Sequence, residues 1–222
     1  MPSLRQIAFA PDLTEQVRQR LLDAICSGEL AAGARLTQED LAIRFDVSRQ
    51  PVLQALRLLK KDGFVIEAGR RGLMVAPLDA TSILHVYEMR AVLDGLAARK
   101  AAMARATLDP AILARGRKAV AGGRVSAMIE ADSSFHDLIY RASGNPLLPE
   151  AVDHHWRHIS RAMGAVLQST RVRTVVWNEH EAIFAAIAAG DADRAEDLAR
   201  RHAEDAGQNL ARAFERQLAA AS

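Results

Sequence analysis

Amphipathic segments of helical period alternate with turn residues in the first third of the chain. Apolar side chains recur every three or four positions over residues 12–27, which predicts a helix that Gly28 ends. Thr37 stands three residues before Asp40, as in a capping box, so a second helix is predicted to begin there. Asp46 is predicted to end that helix. The pattern therefore predicts two helices, the second of them short.

A third helix is predicted to begin after Ser48 and to run to about residue 62. Pro51 falls within its first turn, where a missing N–H is tolerated. One face forms an apolar stripe made of Val52, Ala55, Leu56 and Leu59. A second face, beside the stripe and clear of it, carries Arg49, Leu53, Arg57 and Lys60. The helix is therefore predicted to bury one face and to present basic side chains that can reach a ligand.

A β-hairpin with a basic tip is predicted next, from strand-like stretches at residues 64–67 and 73–76 joined by two glycines and two arginines. The charge distribution singles out this region. Residues 44–71 carry seven basic side chains against three acidic ones, whereas residues 78–222 carry eighteen of each. A basic segment attached to a neutral remainder suggests a binding module joined to another domain. We therefore predict two domains, residues 1–77 and 78–222.

Composition excludes a membrane-spanning, fibrous or disordered protein. The chain has 222 residues, of which 50% are apolar and 25% charged, as in ordinary globular domains. Its longest apolar run, residues 182–189, is far shorter than the roughly twenty residues that span a bilayer. The N-terminus has no apolar core of signal-peptide length, and a single cysteine leaves no intrachain disulfide. We expect a cytoplasmic protein with no membrane partner.

Three small helices followed by a basic hairpin outline a winged helix-turn-helix, whose third helix enters the major groove of DNA while the wing touches the backbone. Double-stranded operator DNA is therefore the predicted partner. Arg49 is expected to meet base edges, and Arg44 and Arg57 to contact phosphates. The full set of predicted DNA contacts is Arg35, Arg44, Ser48, Arg49, Gln50, Gln54, Arg57, Arg70 and Arg71. The alternative is that these side chains only form a solvated helix face.

The N-terminal domain resembles the GntR superfamily of bacterial transcription regulators. The segments that match its pattern, in order, are Gly28-Glu29-Leu30, Gly33-Ala34-Arg35-Leu36, Glu39-Asp40-Leu41-Ala42, Val47-Ser48-Arg49-Gln50-Pro51-Val52, Ala55-Leu56 and Asp62-Gly63-Phe64. The chain departs from the pattern at Leu53 and Gln54, where the family usually carries an arginine and a glutamate. Leu53 therefore removes a cation from the DNA-facing surface, so we expect an apolar contact at this position, for instance to a thymine methyl group, or none.

Beyond Pro77 the pattern is helical throughout. Stretches of helical period are separated by glycine, asparagine, aspartate and proline, and are predicted at residues 79–105, 109–121, 125–143, 147–169, 172–189 and 191–218. Helices of this number and length predict an antiparallel bundle. The predicted fold class is therefore mainly α, with an N-terminal winged helix-turn-helix followed by an all-α antiparallel helical bundle.

Three histidines and an aspartate in the bundle have spacings that suit a metal site. Asp132 and His136 are four residues apart and so share one helix face. His180 precedes the turn at residues 190–191 by ten residues and His202 follows it by eleven, which brings both to the same height in a helical hairpin, about 15 to 16 Å from the turn. Three nitrogens and one oxygen can converge on Zn²⁺, or alternatively on Ni²⁺, Mn²⁺ or Fe²⁺. The alternative is ordinary buried histidines paired with backbone or carboxylate groups.

The second domain resembles the FCD ligand-sensing domain, an all-helical module that accompanies one branch of GntR regulators. The matching residues are Tyr87-Glu88-Met89-Arg90, Leu93, Asp132-Ser133-Ser134-Phe135-His136, Gly144-Asn145-Pro146, Glu179-His180, Gly190-Asp191 and the segment 195–202. In metal-binding members the ligands correspond to Asp132, His136, His180 and His202 of this chain. One departure is Asp94, where glutamate is commoner. The resemblance also implies a homodimer, as does the two-fold symmetry of helix-turn-helix operators.

The sequence thus predicts a DNA-binding transcription regulator, a repressor, whose helical domain binds a divalent metal and a small organic acid. A six-coordinate metal with four protein ligands has open positions for a carboxylate. Arg90 and Arg173 are predicted to contact this effector, with surface salt bridges as the alternative for both. Two other interpretations stay open. The site could activate water in a metal-dependent enzyme, although Glu179 and Glu181 point about 100° away from His180, or the metal could be purely structural.

Overall fold

The computed structural model describes residues 12–69, 72–167 and 175–221 of the chain. The chain divides into two compact units, one extending to Pro77 and the other beginning at Leu78, apart from residues 26–28, which group with the second unit. Over the described ranges, no helix is both long enough and apolar enough to cross a lipid bilayer.

The first unit contains the three predicted helices, which are α1 (Leu13–Ser27), α2 (Gln38–Phe45) and α3 (Arg49–Lys61). Helix α2 begins at Thr37, whose side-chain oxygen accepts a hydrogen bond from the Asp40 N–H at 3.2 Å, and it ends at Asp46 in the left-handed conformation. Ser48 occupies the N-cap position of α3, but its side chain makes no capping hydrogen bond. The Thr37 side chain therefore caps α2 as predicted, whereas Ser48 occupies the cap position of α3 without the hydrogen bond.

A three-stranded antiparallel sheet completes the first unit, and its strands are β1 (Arg35–Leu36), β2 (Val65–Glu67) and β3 (Leu73–Val75). The strand order is β1-β3-β2. Strands β2 and β3 are the predicted hairpin, with Ile66 opposite Met74. Strand β1 escapes the sequence pattern because two residues are too few to show an alternation of apolar and polar side chains. The sheet and the buried stripe of α3 together form the core of a winged helix-turn-helix.

Helices make up the described part of the second unit. They are α4 (Ala80–Met103), α5 (Ala111–Gly122), α6 (Val125–Ala142), α7 (Leu147–Leu167), α8 (Val175–Ala189) and α9 (Ala192–Ala221). The side chain of Asp79 caps α4 by accepting a hydrogen bond from the Ser82 N–H at 2.8 Å. The predicted fold class, a winged helix-turn-helix followed by an all-α antiparallel bundle, is confirmed.

The longest packing contact in this unit joins α4 and α9, which run in opposite directions. Arg99 of α4 forms ion pairs with Asp193 near the start of α9, and Tyr87 near the start of α4 packs on Gly207. A Cβ atom at Gly207 would lie 2.6 Å from the Cβ atom of Tyr87, so only glycine permits this close approach. The buried face of α4 is thereby held against α9 along most of its length.

The core of the bundle includes Phe135, Tyr140, Ile159, Ile183 and Ile187, each 3% exposed or less. Several polar side chains are buried with them: Arg90, Asp94, Asp132, His136, Ser143, Arg161, His180 and His202. Burial of these polar groups is favourable only where they are paired or bind an ion.

Candidate functional site

The predicted DNA-reading face of α3 is exposed in the first unit. Most of the predicted contacts are exposed, namely Arg35, Arg44, Ser48, Arg49, Gln50 and Arg57, and Gln54 is half-buried. Arg70 and Arg71 lie outside the described residues. Because the neighbouring apolar stripe of α3 is fully buried, the helix presents a polar surface with basic side chains, as a groove-reading helix requires.

Arg49 forms an ion pair with Glu39 at the N-terminal end of α3. The Nη2 atom of Arg49 lies 2.5 Å from Oε1 of Glu39, and about two thirds of each side chain is exposed. Exposed ion pairs of this kind contribute little to stability, so a phosphate oxygen can replace Glu39 at low cost. The pair therefore leaves the guanidinium of Arg49 accessible to an anion.

Four side chains with metal-binding atoms meet inside the second unit. Asp132 and His136 lie on successive turns of α6, His180 lies on α8 and His202 lies on α9. All four are buried, and their ligand atoms lie within 4.8 Å of one another. The Nε2 atoms of His180 and His202 are 3.2 Å apart, so the two histidines do lie level with each other.

The separations match the size of a small divalent cation. Oδ1 of Asp132 lies 3.4 Å from Nε2 of His180 and 4.0 Å from Nε2 of His136. A Zn²⁺ ion bound tetrahedrally at about 2.0–2.1 Å holds its ligand atoms about 3.3 Å apart. The cluster could therefore hold a metal ion with little movement of these side chains.

Two carboxylates orient the histidine rings. Oε2 of Glu179 lies 2.7 Å from Nδ1 of His202, and Oδ2 of Asp94 lies 3.2 Å from Nδ1 of His136. Tyr140 donates a hydrogen bond to Oδ1 of Asp94, which fixes that carboxylate. A ring that donates its Nδ1–H to a carboxylate carries its lone pair on Nε2, an arrangement common around metal-binding histidines. Neither Glu179 nor Asp94 is given a role by the sequence prediction.

Aromatic rings hold His180 in place. Its ring stacks on Phe135 with centroids 4.0 Å apart, and Trp177 meets it edge-on at 4.6 Å. The side chain is completely buried, and its Nδ1 atom has no hydrogen-bond partner within the described part of the chain. Aromatic packing fixes the ring on the Nδ1 side, and the polar contacts of the side chain are made by Nε2, which faces the cluster.

Arg90 places a permanent positive charge beside the four ligand atoms. Its Nη2 atom donates to Nε2 of His136 at 2.5 Å and lies 3.5 Å from Oδ2 of Asp132. Its Nε atom donates to Oδ2 of Asp94 at 3.2 Å, and Trp156 stacks over the guanidinium with its ring centroid 4.7 Å from Cζ. One cation and two buried carboxylates leave this cluster with a net negative charge, which favours binding of a further cation.

Burial controls the protonation of the site. It lowers the pKa of His180 well below its usual value, and the nearby His202 and His136 lower it further. Burial and the charge of Arg90 also lower the pKa of His136, against an opposing effect of Asp94. Burial alone would raise the pKa of Asp94, but its interactions with His136 and Arg90 outweigh burial and the pKa is lowered. At neutral pH both histidines are therefore neutral, and a metal ion bound to Nε2 of His136 would take the place of its hydrogen bond from Arg90.

A cavity of about 260 Å³ opens from this cluster along α9. Arg90, Asp132 and His202 line its inner end, and apolar side chains of α7 and α9 line its walls. Of the two predicted effector contacts, Arg90 lies at the cavity, while Arg173 lies outside the described residues. The arrangement therefore combines a candidate metal site, a buried cation and space for a small molecule.

Comparison with known proteins agrees with this architecture. The family described as "Bacterial regulatory proteins, gntR family" matches residues 13–75, and the FCD domain matches residues 85–205. The HTH-type transcriptional regulator YdhC of Bacillus subtilis is 29% identical over 76% of this chain and 78% of its own length. An HTH-type transcriptional regulator of Streptomyces ambofaciens is 30% identical over 86% of this chain and 80% of its own length.

A solved structure, that of a GntR transcriptional regulator from Rhodococcus sp. RHA1, is similar to this chain with a TM-score of 0.74 and 26% identity. The similarity covers 89% of this chain and 96% of that one. These matches are to transcription regulators and not to enzymes, which confirms the prediction that the protein is not an enzyme. The two family matches together cover most of the chain. The chain is therefore a DNA-binding transcription regulator of the GntR family that carries the FCD ligand-sensing domain.

Proposed function

We propose that the FCD domain of this regulator binds a divalent metal through Asp132, His136, His180 and His202 and senses a small organic acid beside it. The observation that carries the proposal is the convergence of these four buried ligand atoms within 4.8 Å of one another. Zinc is the first candidate because three nitrogens and one oxygen at tetrahedral separations suit it. Nickel, manganese and iron share these ligand preferences and remain alternatives.

Charge balance supports a carboxylate as the effector. With neutral histidines, the buried groups Arg90, Asp94 and Asp132 sum to one negative charge. A bound divalent cation would change this sum to one positive charge, and an ion that expands beyond four ligands would have a coordination position for the effector. A monoanionic carboxylate then neutralises the cluster, and Arg90 can contact it. Arg173 is proposed as a second contact on the basis of the sequence alone.

On the DNA side, we propose that α3 reads the operator through Arg49, with Arg44 and Arg57 on phosphates and Arg35, Ser48, Gln50 and Gln54 close by. The exposure of this face supports the assignment, and Arg70 and Arg71 are proposed as wing contacts from the sequence. The effector needs only to bind one dimer arrangement better than the other. If effector binding changes the distance between the two DNA-binding domains of the dimer, they can no longer bind both half-sites of the operator. The repressor then leaves its operator, and transcription begins.

The exposed face of α4 is proposed as the homodimer surface. Met89, Val92, Leu96 and Met103 are between 41% and 68% exposed and recur at spacings of three, four and seven positions. An apolar stripe with this spacing packs well against a second helix. When a two-fold axis passes at the level of Asp94, Val92 faces Leu96 of the second copy, and Glu88 faces Lys100. The stripe is therefore self-complementary in both apolar contacts and charge, as a two-fold interface requires.

Metal analysis of the full-length protein tests the site. We expect the purified wild type to retain about one ion per chain after dialysis, and His180→Ala to lose it because one of the four ligands is missing. His85→Ala is the matched control, since His85 is exposed on α4, and it should retain the ion. A wild type without metal, or an equal content in His180→Ala, would refute the site.

Metal removal separates a sensor from a purely structural site. We expect chelated protein to keep its helical circular dichroism but to lose the thermal shift that small carboxylates produce in metal-loaded protein. It should also lose carboxylate-induced release from an operator selected out of a random duplex library. Unfolding on chelation would instead establish the structural role.

A further inference from the structure

We propose that the effector is an elongated acid with two anionic ends and an apolar middle, and this rests on the function proposed above. The cavity follows one stripe of α9, since His202, Ala206, Ala213 and Arg216 all line it. From His202 to Arg216 this stripe covers about 21 Å at 1.5 Å per residue. A compact acid bound at the inner end would leave most of this length unfilled.

The middle of the cavity is largely apolar, and its lining also includes the polar side chain of Asn209 on α9. Its walls are formed by Met163, Val166 and Leu167 of α7, Val176 of α8, and Leu210 and Ala213 of α9. Its volume of about 260 Å³ exceeds the roughly 150 Å³ of an engineered apolar cavity that takes up benzene. A hydrocarbon chain or ring lying along α9 would cover these side chains and gain the free energy of their burial.

Both ends of the cavity carry arginine side chains, which differ in exposure. At the inner end, Arg90 is buried beside the candidate metal ligands. At the outer end, Arg212 and Arg216 line the cavity and are exposed. Arg212 donates a hydrogen bond to Oε1 of Gln208 at 3.3 Å, and within the described ranges neither arginine is ion-paired with a carboxylate. Two guanidinium groups at the mouth of an apolar channel suit a second carboxylate, which each can bind through paired hydrogen bonds.

Isothermal titration calorimetry on the metal-loaded, full-length protein tests the proposal with three probes: decanedioate, decanoate and butanedioate. We expect decanedioate to bind about five- to tenfold more tightly than decanoate, because only the diacid reaches the exposed arginines. The double variant Arg212→Gln/Arg216→Gln should abolish that difference and leave butanedioate binding unchanged. The charge-matched control Arg115→Gln/Arg194→Gln, at exposed positions outside the cavity lining, should preserve the difference.

Equal affinities of decanedioate and decanoate for the wild type would overturn the proposal, as would an equal loss in the control variant. If one of these results were obtained while butanedioate still bound in a metal-dependent way, only the elongated ligand would be rejected. The proposed organic-acid sensor would stand. Failure of all three acids to bind the metal-loaded protein would reject both the sensor and the elongated ligand.

Discussion

Replacing Glu179 with glutamine would isolate the electrostatic contribution that the carboxylate partner of His202 makes to metal binding. The carboxylate of Glu179 lies 2.7 Å from Nδ1 of His202. A glutamine oxygen can still accept that hydrogen bond, so the variant removes charge while keeping the orientation of the ring. About 40% of the Glu179 side chain is exposed, so the substitution leaves the core packing intact. The expected effect is a weaker affinity for metal without a loss of fold.

The magnitude follows from the geometry. A cation bound to Nε2 of His202 at about 2.0–2.1 Å would lie about 7 Å from the carboxylate across the imidazole ring. Coulomb's law gives about 1 kcal/mol for a divalent ion at the dielectric constant of water and about 5 kcal/mol at an effective value of 20. Loss of an outer partner of a metal ligand typically costs 10- to 100-fold in affinity. Because Glu179 is partly exposed, we expect the lower end, about a tenfold rise in Kd.

The chain provides its own probe for this measurement. It contains two tryptophans, and both lie beside the cluster. The ring centroid of Trp156 is 5.5 Å from that of His136, and the ring centroid of Trp177 is 4.6 Å from that of His180. Titration with Ni²⁺, followed by quenching of intrinsic fluorescence, gives Kd directly, and competition gives the value for Zn²⁺.

A matched control lies two residues away on the same helix. Glu181 is exposed and forms an ion pair with Arg117 at 2.7 Å, so Glu181→Gln removes an equal charge without touching a histidine. Its Kd should stay within about twofold of the wild type. If Glu179→Gln bound Ni²⁺ as tightly as the wild type, or if both variants weakened binding equally, the proposed role of Glu179 would be refuted.

Three further substitutions test packing, DNA contact and assembly. A Cβ atom at Gly116 would lie 2.0 Å from ring atoms of Trp177, so Gly116→Ala should lower the unfolding free energy by about 1–3 kcal/mol in urea titration, whereas Gly122→Ala meets nothing within 4 Å and should not. Equal stability of these two variants would contradict the packing. Leu53→Arg should steepen the slope of log affinity for operator against log salt by about 0.9, and an unchanged slope would mean that position 53 does not approach the DNA backbone. Val92→Glu should convert the dimer into monomer in sedimentation velocity, and a persisting dimer would rule out the α4 surface.

Helix geometry explains which parts of the site could be anticipated. His180 and His202 could be placed at one height because a helical hairpin has a fixed rise per residue. The same reasoning sets Glu179 aside, since it points away from His180. Glu179 does point away from His180, and its carboxylate contacts His202 on the neighbouring helix. Contacts between side chains of different helices cannot be predicted from the sequence of one helix. The role of Asp94 is hidden for a similar reason, because its partner His136 lies on another helix.

Two small features of the first unit were harder to anticipate than its helices. Strand β1 has only two residues, and its pairing with β3 depends on contacts distant in sequence. Ser48 occupies the position of a helix cap, yet the hydrogen bond that usually accompanies it is missing because side-chain rotamers are not specified by residue type. In contrast, the apolar stripe of α3 follows directly from its period, and all four of its members are fully buried.

Two side chains of α4 that are close in sequence point to opposite sides of the helix. Arg90 reaches inward to the buried charges, and Val92, two residues later, points outward at 64% exposure. A helix is stiff over so short a distance, so any displacement of Arg90 moves Val92 with it. In the proposed dimer, an acid that displaced the guanidinium of Arg90 would also displace Val92 and so change the α4 contact between the two copies. Communication between effector and operator would then begin within one turn of a single helix.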